Sequence, residues 1–286
     1  MMDDMRSRAI ALYDRFTHEG MERRDFMARM VAIAGSVAAA NALIAAIAAS
    51  PAAAAMIPAD DKRLTTRTQK VAGGYSAYVA EPRTRSLKAS VVVIHENRGL
   101  NEHIRDVARR VALAGYRAVA PDMLSLAGGT PADEDKAREM IGRLDLAKSS
   151  TDAFSIVREL KGSSRGGKVG AVGFCWGGGF VNRLAVAAGS VLSAGVVYYG
   201  PAPAPSEAAK IDTPLLIHLA GLDTRIAETE FPWITALRAA GKPVTYFDYP
   251  GVNHAFNNDT SKERYDKAAA ELAWGRTLRF FGRNLT

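Results

Sequence analysis

Glu96, Cys175, Asp223 and His254 each follow a β-rich run (VVVIH, VGAVGF, PLLIHLAGL and VTYFDYPGVN, respectively). Each carries a side chain that can attack a carbonyl or move a proton. A thiol attacks only as its thiolate, and an imidazole oriented by a carboxylate is suited to take its proton and later to activate water. Cys175 is the chain's only cysteine and sits in Gly173-Phe174-Cys175-Trp176-Gly177. This G-x-C-x-G spacing fits a sharp strand-to-helix turn, in which a Cβ at either flanking position would strike a neighbouring strand or helix. The helix that follows directs its N-terminal dipole at the sulfur and favours the thiolate. Alone the pattern is weak, because buried cysteines and turn glycines are both common.

Chain order strengthens it. In α/β-hydrolases the nucleophile comes first, then the acid, then the histidine, an order met here by Cys175, Asp223 and His254. Of the five histidines, His18 lies in the N-terminal segment, His95 and His218 in strand-like runs and His103 at a helix start, so only His254 follows Asp223. Plainer roles stay open from the residues alone: Asp223 as a cap of the next helix, His254 as the partner of a loop carbonyl.

Groups so far apart in sequence need a scaffold that gathers strand ends. Beyond Asp60, YSAYVAEP, SVVVIHE, YRAVAPD, KVGAVGF, AGVVYYG, PLLIHLAG and VTYFDYP read as strands. NEHIRDVARRVALAG, PADEDKAREMIGRLDLAKSSTDAFSIVRELKG, WGGGFVNRLAVAAG, AETEFPWITALRAAG and SKERYDKAAAELAWGRTLRFFGR read as helical, while PAPAPSEAAK reads as a surface loop. VVVI and PLLI lack polar alternation and are expected to be buried on both faces. The expected fold is α/β, of α/β-hydrolase type, with a mostly parallel doubly wound sheet and helices on both faces, the strands' carboxyl ends forming the site.

A length of 286 residues suits one large domain and a short appendage. The net charge of +7 and pI near 9.5 invite a nucleic-acid reading. In EDKAREMIGRLDLAK and SKERYDKAAAELAWGR, however, bases and acids interleave as on solvated helix faces, and no nucleic-acid module surrounds them. GFCWGGGF lacks the G-x-G-x-x-G spacing of a dinucleotide site, and no metal-ligand cluster is visible, so neither cofactor nor metal is expected.

Residues 1–55 read differently from the domain expected over 56–286. A polar start leads to ERRDFMARM, then to the uncharged run VAIAGSVAAANALIAAIAAS and small residues at SPAAAAM. Arg23 and Arg24 followed by Asp25, Phe26 and Met27 resemble a bacterial twin-arginine export signal, with Glu22 where Ser or Thr is usual. The expectations are recognition by the twin-arginine machinery, cleavage between Ala49 and Ala55, a periplasmic location and no stable membrane insertion of the mature protein. An uncleaved anchor and an amphipathic helix are the competing readings.

HENRGLNEHIRDVARRVALAGYRAVAPD, GFCWGGGF, AGLDTRI and YPGVNHAF resemble the dienelactone hydrolase family (carboxymethylenebutenolidase and relatives), from about Gly74 to Phe281. The resemblance implies hydrolysis of a small ester or lactone with Cys175 as nucleophile, Asp223 and His254 completing the triad, and Glu96 receiving the thiol proton. It also implies an oxyanion site made by the backbone N–H groups of Trp176 and Asn97.

Two features depart from the family pattern. APDMLSLAGGT contains no arginine, and the position four after His254 is Asn258, so the arginines that grip a substrate carboxylate are missing. Arg98 is the expected alternative grip, with Arg225 a second candidate; pairing with acids is the plainer role for both. Phe256, with Trp176, is expected to wall the substrate pocket, against core packing as the alternative. A thiol-sensing or binding protein on the same fold and an acyltransferase are the rival functions.

Overall fold

The computed structural model describes residues 5, 8, 9, 12, 13, 15, 16, 21–48, 57–83, 87–163 and 167–286. Its centre is an eight-stranded sheet of β1 (Leu64–Lys70), β2 (Ser76–Pro82), β3 (Ser90–Ile94), β4 (Arg117–Pro121), β5 (Val169–Phe174), β6 (Ala194–Tyr198), β7 (Leu215–Ala220) and β8 (Val244–Tyr249). The spatial order is β1-β2-β4-β3-β5-β6-β7-β8; β1 and β2 pair antiparallel, as do β2 and β4, and every other pairing is parallel.

All five residues of β3 and all six of β5 and β7 are buried, as uninterrupted apolar runs require. Val91 and Val93 face one core with Ile104, Val107 and Val111 of α3 (Glu102–Leu113) and Phe281 of α8 (Lys267–Asn284). Val92 and Ile94 face the other, against α5 (Leu146–Ser163), α6 (Trp176–Ala188) and α7 (Thr224–Ala239). The doubly wound expectation therefore holds, with helices on both faces.

Three local differences have physical causes. β1, with the sequence LTTRTQK, was not expected: it is an edge strand with little buried surface, held by pairing to β2 and by Arg67 on Glu81 at 2.8 Å. The long helical stretch after Pro131 is two helices, α4 (Glu134–Gly142) and α5, because Asp145 accepts from the N–H groups of Ala147 and Lys148 and starts a new helix. PAPAPSEAAK is not wholly loop, since Pro205–Lys210 forms a 3-10 turn.

In the N-terminal segment, α1 (Arg23–Ala34) and α2 (Val37–Ala48) meet at a bend of 104°. Gly35 provides that bend in left-handed conformation at φ 83°, its N–H donating to the Val31 carbonyl. The apolar run is thus broken, and among the described residues no single helix is long and apolar enough to cross a membrane. Phe26 and Met30 pack with Ala9, Leu12, Tyr13 and Ala40 in a small core of their own. The expected cleavage region, residues 49–55, lies outside those described.

Candidate active site

The turn from β5 into α6 places Cys175 at the helix N-cap with φ 55° and ψ −119°, a strained conformation for a residue with a side chain. Its neighbours explain the glycines. A Cβ on Gly173 would strike the Gly177 carbonyl, and one on Gly177 would strike the carbonyls of Ile94 and His95 at the end of β3. The turn can therefore approach β3 closely only without side chains at those positions, and this brings the thiol beside the loop that carries Glu96.

That loop is stitched in place from two directions. His95 is fully buried; its Nδ1 donates to the Glu96 carbonyl at 2.7 Å, and its Nε2 accepts from the Met123 N–H at 3.2 Å. Burial pushes the His95 imidazolium down, consistent with a neutral ring. Thr130 ties the same loop to the end of β4, its hydroxyl accepting from the Leu100 N–H and donating to Asp122 at 2.8 Å. Glu96 Oε2 accepts from Asn258 Nδ2 at 2.9 Å, while Oε1 is buried with no hydrogen bond among the described residues.

His254 lies in the loop after β8. Its Nδ1 is 2.5 Å from Asp223 Oδ2, and the other oxygen of Asp223 accepts from the Ile226 N–H at 3.3 Å. Asp223 therefore caps α7, the plainer role left open for it, and orients the histidine at once. Burial opposes charge on His254, but the Cys175 sulfur and the Asp223 carboxylate outweigh it and hold the imidazolium up to about 10. For Asp223, burial works upwards and His254 and Arg225 downwards, and the charges prevail, lowering it. Anchoring the loop from beneath, Asp259 contacts His103 at 3.3 Å and pairs with Arg110, which also holds Asp106.

Cys175, His254, Glu96, Asn97 and Arg98 line one cleft with Ala255, Asn258, Ser261, Arg264 and Tyr13. Trp176 opens α6, and its ring lies on His95 at 5.6 Å and on Phe180 at 5.1 Å. Other expected site residues lie elsewhere. Phe256 is fully buried between Tyr199 and Tyr249, at 5.4 and 5.0 Å, and is core packing rather than pocket wall. The backbone reverses at Ala255, φ 65°, which directs Phe256 inward. Arg98 is engaged by Glu134 at 2.7 Å and by the Tyr13 hydroxyl at 2.8 Å, and Arg225 lies 3.7 Å from Asp223. Arg23 is exposed, 3.5 Å from Asp135, and Arg24 is exposed.

Tyr13, Ser261 and Arg264 were missed, and so was the bond from Asn258 to Glu96, whose partners are 162 residues apart. Nothing local in the sequence marks such long-range partners. Among the described residues, no group of three or more His, Cys, Asp or Glu could hold a metal ion.

The profile of the dienelactone hydrolase family matches residues 75–285. A provisionally named carboxymethylenebutenolidase of Saccharolobus solfataricus is 33% identical over 244 residues, covering 72% of this chain and 93% of that protein. One of the same name from Escherichia coli O157:H7 is 31% identical over 253 residues, covering 82% and 93%. A crystal structure of a provisionally named dienelactone hydrolase from Klebsiella pneumoniae superposes with a TM-score of 0.70 at 26% identity, covering 77% of this chain and 99% of that one.

Proposed function

The chain belongs to the dienelactone hydrolase family and is an ester or lactone hydrolase of α/β-hydrolase fold, and we propose that it works through an acyl-enzyme on Cys175. The observation that carries the proposal is the Asp223–His254 contact of 2.5 Å in the cleft that also holds Cys175 at its strained helix start.

In this mechanism the thiol proton passes to Glu96, whose Oε1 has no other hydrogen bond among the described residues. The sulfur attacks the carbonyl carbon, and the N–H groups of Trp176 and Asn97 receive the oxyanion. Collapse breaks the bond to the leaving oxygen, which takes a proton from the His254 imidazolium. In a lactone that oxygen stays tethered to the acyl group. Neutral His254, held by Asp223, then removes a proton from water as it attacks the thioester; the thiolate leaves and recovers its proton from Glu96. Water and ester are consumed, acid and alcohol released, and the enzyme is restored.

Residues 1–55 are proposed as a twin-arginine export signal that directs the enzyme to the periplasm, a reading supported by Arg23 and Arg24 ahead of the apolar run. The test of the catalytic reading follows p-nitrophenyl acetate and a small lactone panel with wild type, Cys175→Ala and His254→Ala. Loss of turnover in both variants supports it; turnover untouched by either substitution overturns it.

A further inference from the structure

With Tyr13 in place, the catalytic cleft retains a volume of about 20 Å³. That is room for about one water molecule, far below the hundreds of Å³ that hold a small-molecule substrate. Tyr13 is buried, yet it comes from the N-terminal segment, outside the residues 75–285 that match the family. Its hydroxyl accepts from Arg98 at 2.8 Å, and the Arg264 guanidinium stacks 5.0 Å from its ring centre. Cations of the cleft wall thus hold it from two sides.

Described residues around Tyr13 seat it. Phe16 stacks on Phe26 at 4.1 Å and lies under the Arg138 guanidinium at 4.2 Å, and Glu134 fixes Arg98 beneath Tyr13. A pocket of about 250 Å³, partly open to the surface, lies beside the seat, lined by Phe16, Phe26, Ile44 and Glu134 among others. A segment whose seat borders open space in this way can part from the cleft.

We propose that the N-terminal segment is an intramolecular inhibitor, with Tyr13 as the plug of the catalytic cleft, so that the full chain is the closed form. Resting on the hydrolase and export-signal readings, this means that the segment directing export also keeps the precursor inactive, and that its removal opens the cleft.

Because Cys175 is the only cysteine, its alkylation by iodoacetamide reports access to the cleft without requiring turnover. The experiment compares alkylation rate and p-nitrophenyl acetate hydrolysis in the full chain for wild type, Tyr13→Ala, Tyr13→Phe and Arg138→Ala. Tyr13→Ala should raise both by at least about tenfold, the shift in a closed-to-open ratio produced by losing one hydrogen bond to a charged group. Tyr13→Phe keeps the ring and should fall between. Arg138→Ala loosens the seat without touching the cleft and should also speed alkylation, which separates opening from damage at the site. Equal alkylation in wild type and all three variants overturns the plug, and persistent turnover in that case leaves the hydrolase reading standing. Faster alkylation with no turnover in any form upholds the plug and overturns the hydrolase reading.

Discussion

At the scale of single residues, the account depends on how charge is held where water is excluded. The protonated form of His254 is favoured to about 10, above its ordinary 6.5. Its contribution to stability is therefore complete below about 6.5 and is lost as pH rises through about 10. Asp223 is lowered, so its contribution is present above its ordinary 3.8 and lost as pH falls through its folded value. Urea midpoints of wild type should fall across the alkaline window. In Asp223→Asn, which removes a carboxylate that raises His254, the decline should begin at lower pH; curves of identical shape would contradict the pairing. Asn258 makes a second residue-scale prediction. Asn258→Ala leaves the buried Glu96 carboxylate without its amide donor and should cost roughly 1.5–3 kcal/mol. Asn258→Asp, which sets a second carboxylate there, should cost more in the same denaturation measurement.

At the scale of elements, the strand-to-helix turn is the constraint that the rest accommodates. Gly177→Ala would drive a methyl group into the carbonyls of Ile94 and His95, and destabilisation of about 1–3 kcal/mol or more is expected from urea titration. A change under half a kcal/mol on that scale would mean that the turn and β3 do not meet as described. The turn, the seven strands from β2 to β8 and the placing of Cys175, Asp223 and His254 after strands were legible in the sequence because each is a local signal: glycine spacing, runs rich in Val, Ile, Tyr and Leu that end in turn residues, polar side chains just beyond them. β1 was not legible, because LTTRTQK is an edge strand whose polar residues carry no burial pattern. The break between α4 and α5 was missed for another reason: Asp145 reads as one more acid on a charged helix face until its side chain is seen capping the next turn. Phe256 shows the limit of reading a site by proximity along the chain. It lies two positions from His254, yet the positive φ of Ala255 turns it into the core.

At the scale of the whole molecule, the catalytic domain and the N-terminal segment are two readings of one chain that meet at Tyr13. The segment's composition carries the export reading, whereas its contact with Arg98, which lies 85 residues away, has no sequence signature. The twin-arginine reading predicts that substituting Arg23 and Arg24 together by lysine will retain the protein in the cytoplasm of an expressing bacterium, measured by cell fractionation. Equal periplasmic recovery of the variant and wild type would contradict it. Because both arginines are exposed and, among the described residues, Arg23 alone has a salt-bridge partner, Asp135 at 3.5 Å, the fold of the catalytic domain should be unaffected by that change.

The central claim, an acyl group carried on Cys175, is tested most directly by quenching the His254→Ala variant with acid during reaction with p-nitrophenyl acetate and mapping the peptides by mass spectrometry. Loss of the water-activating base should slow release of the acyl group more than its formation, so the account predicts an acetyl group on the peptide containing Cys175 and none in Cys175→Ala. An unmodified Cys175 peptide, together with full ester turnover by Cys175→Ala, would contradict it.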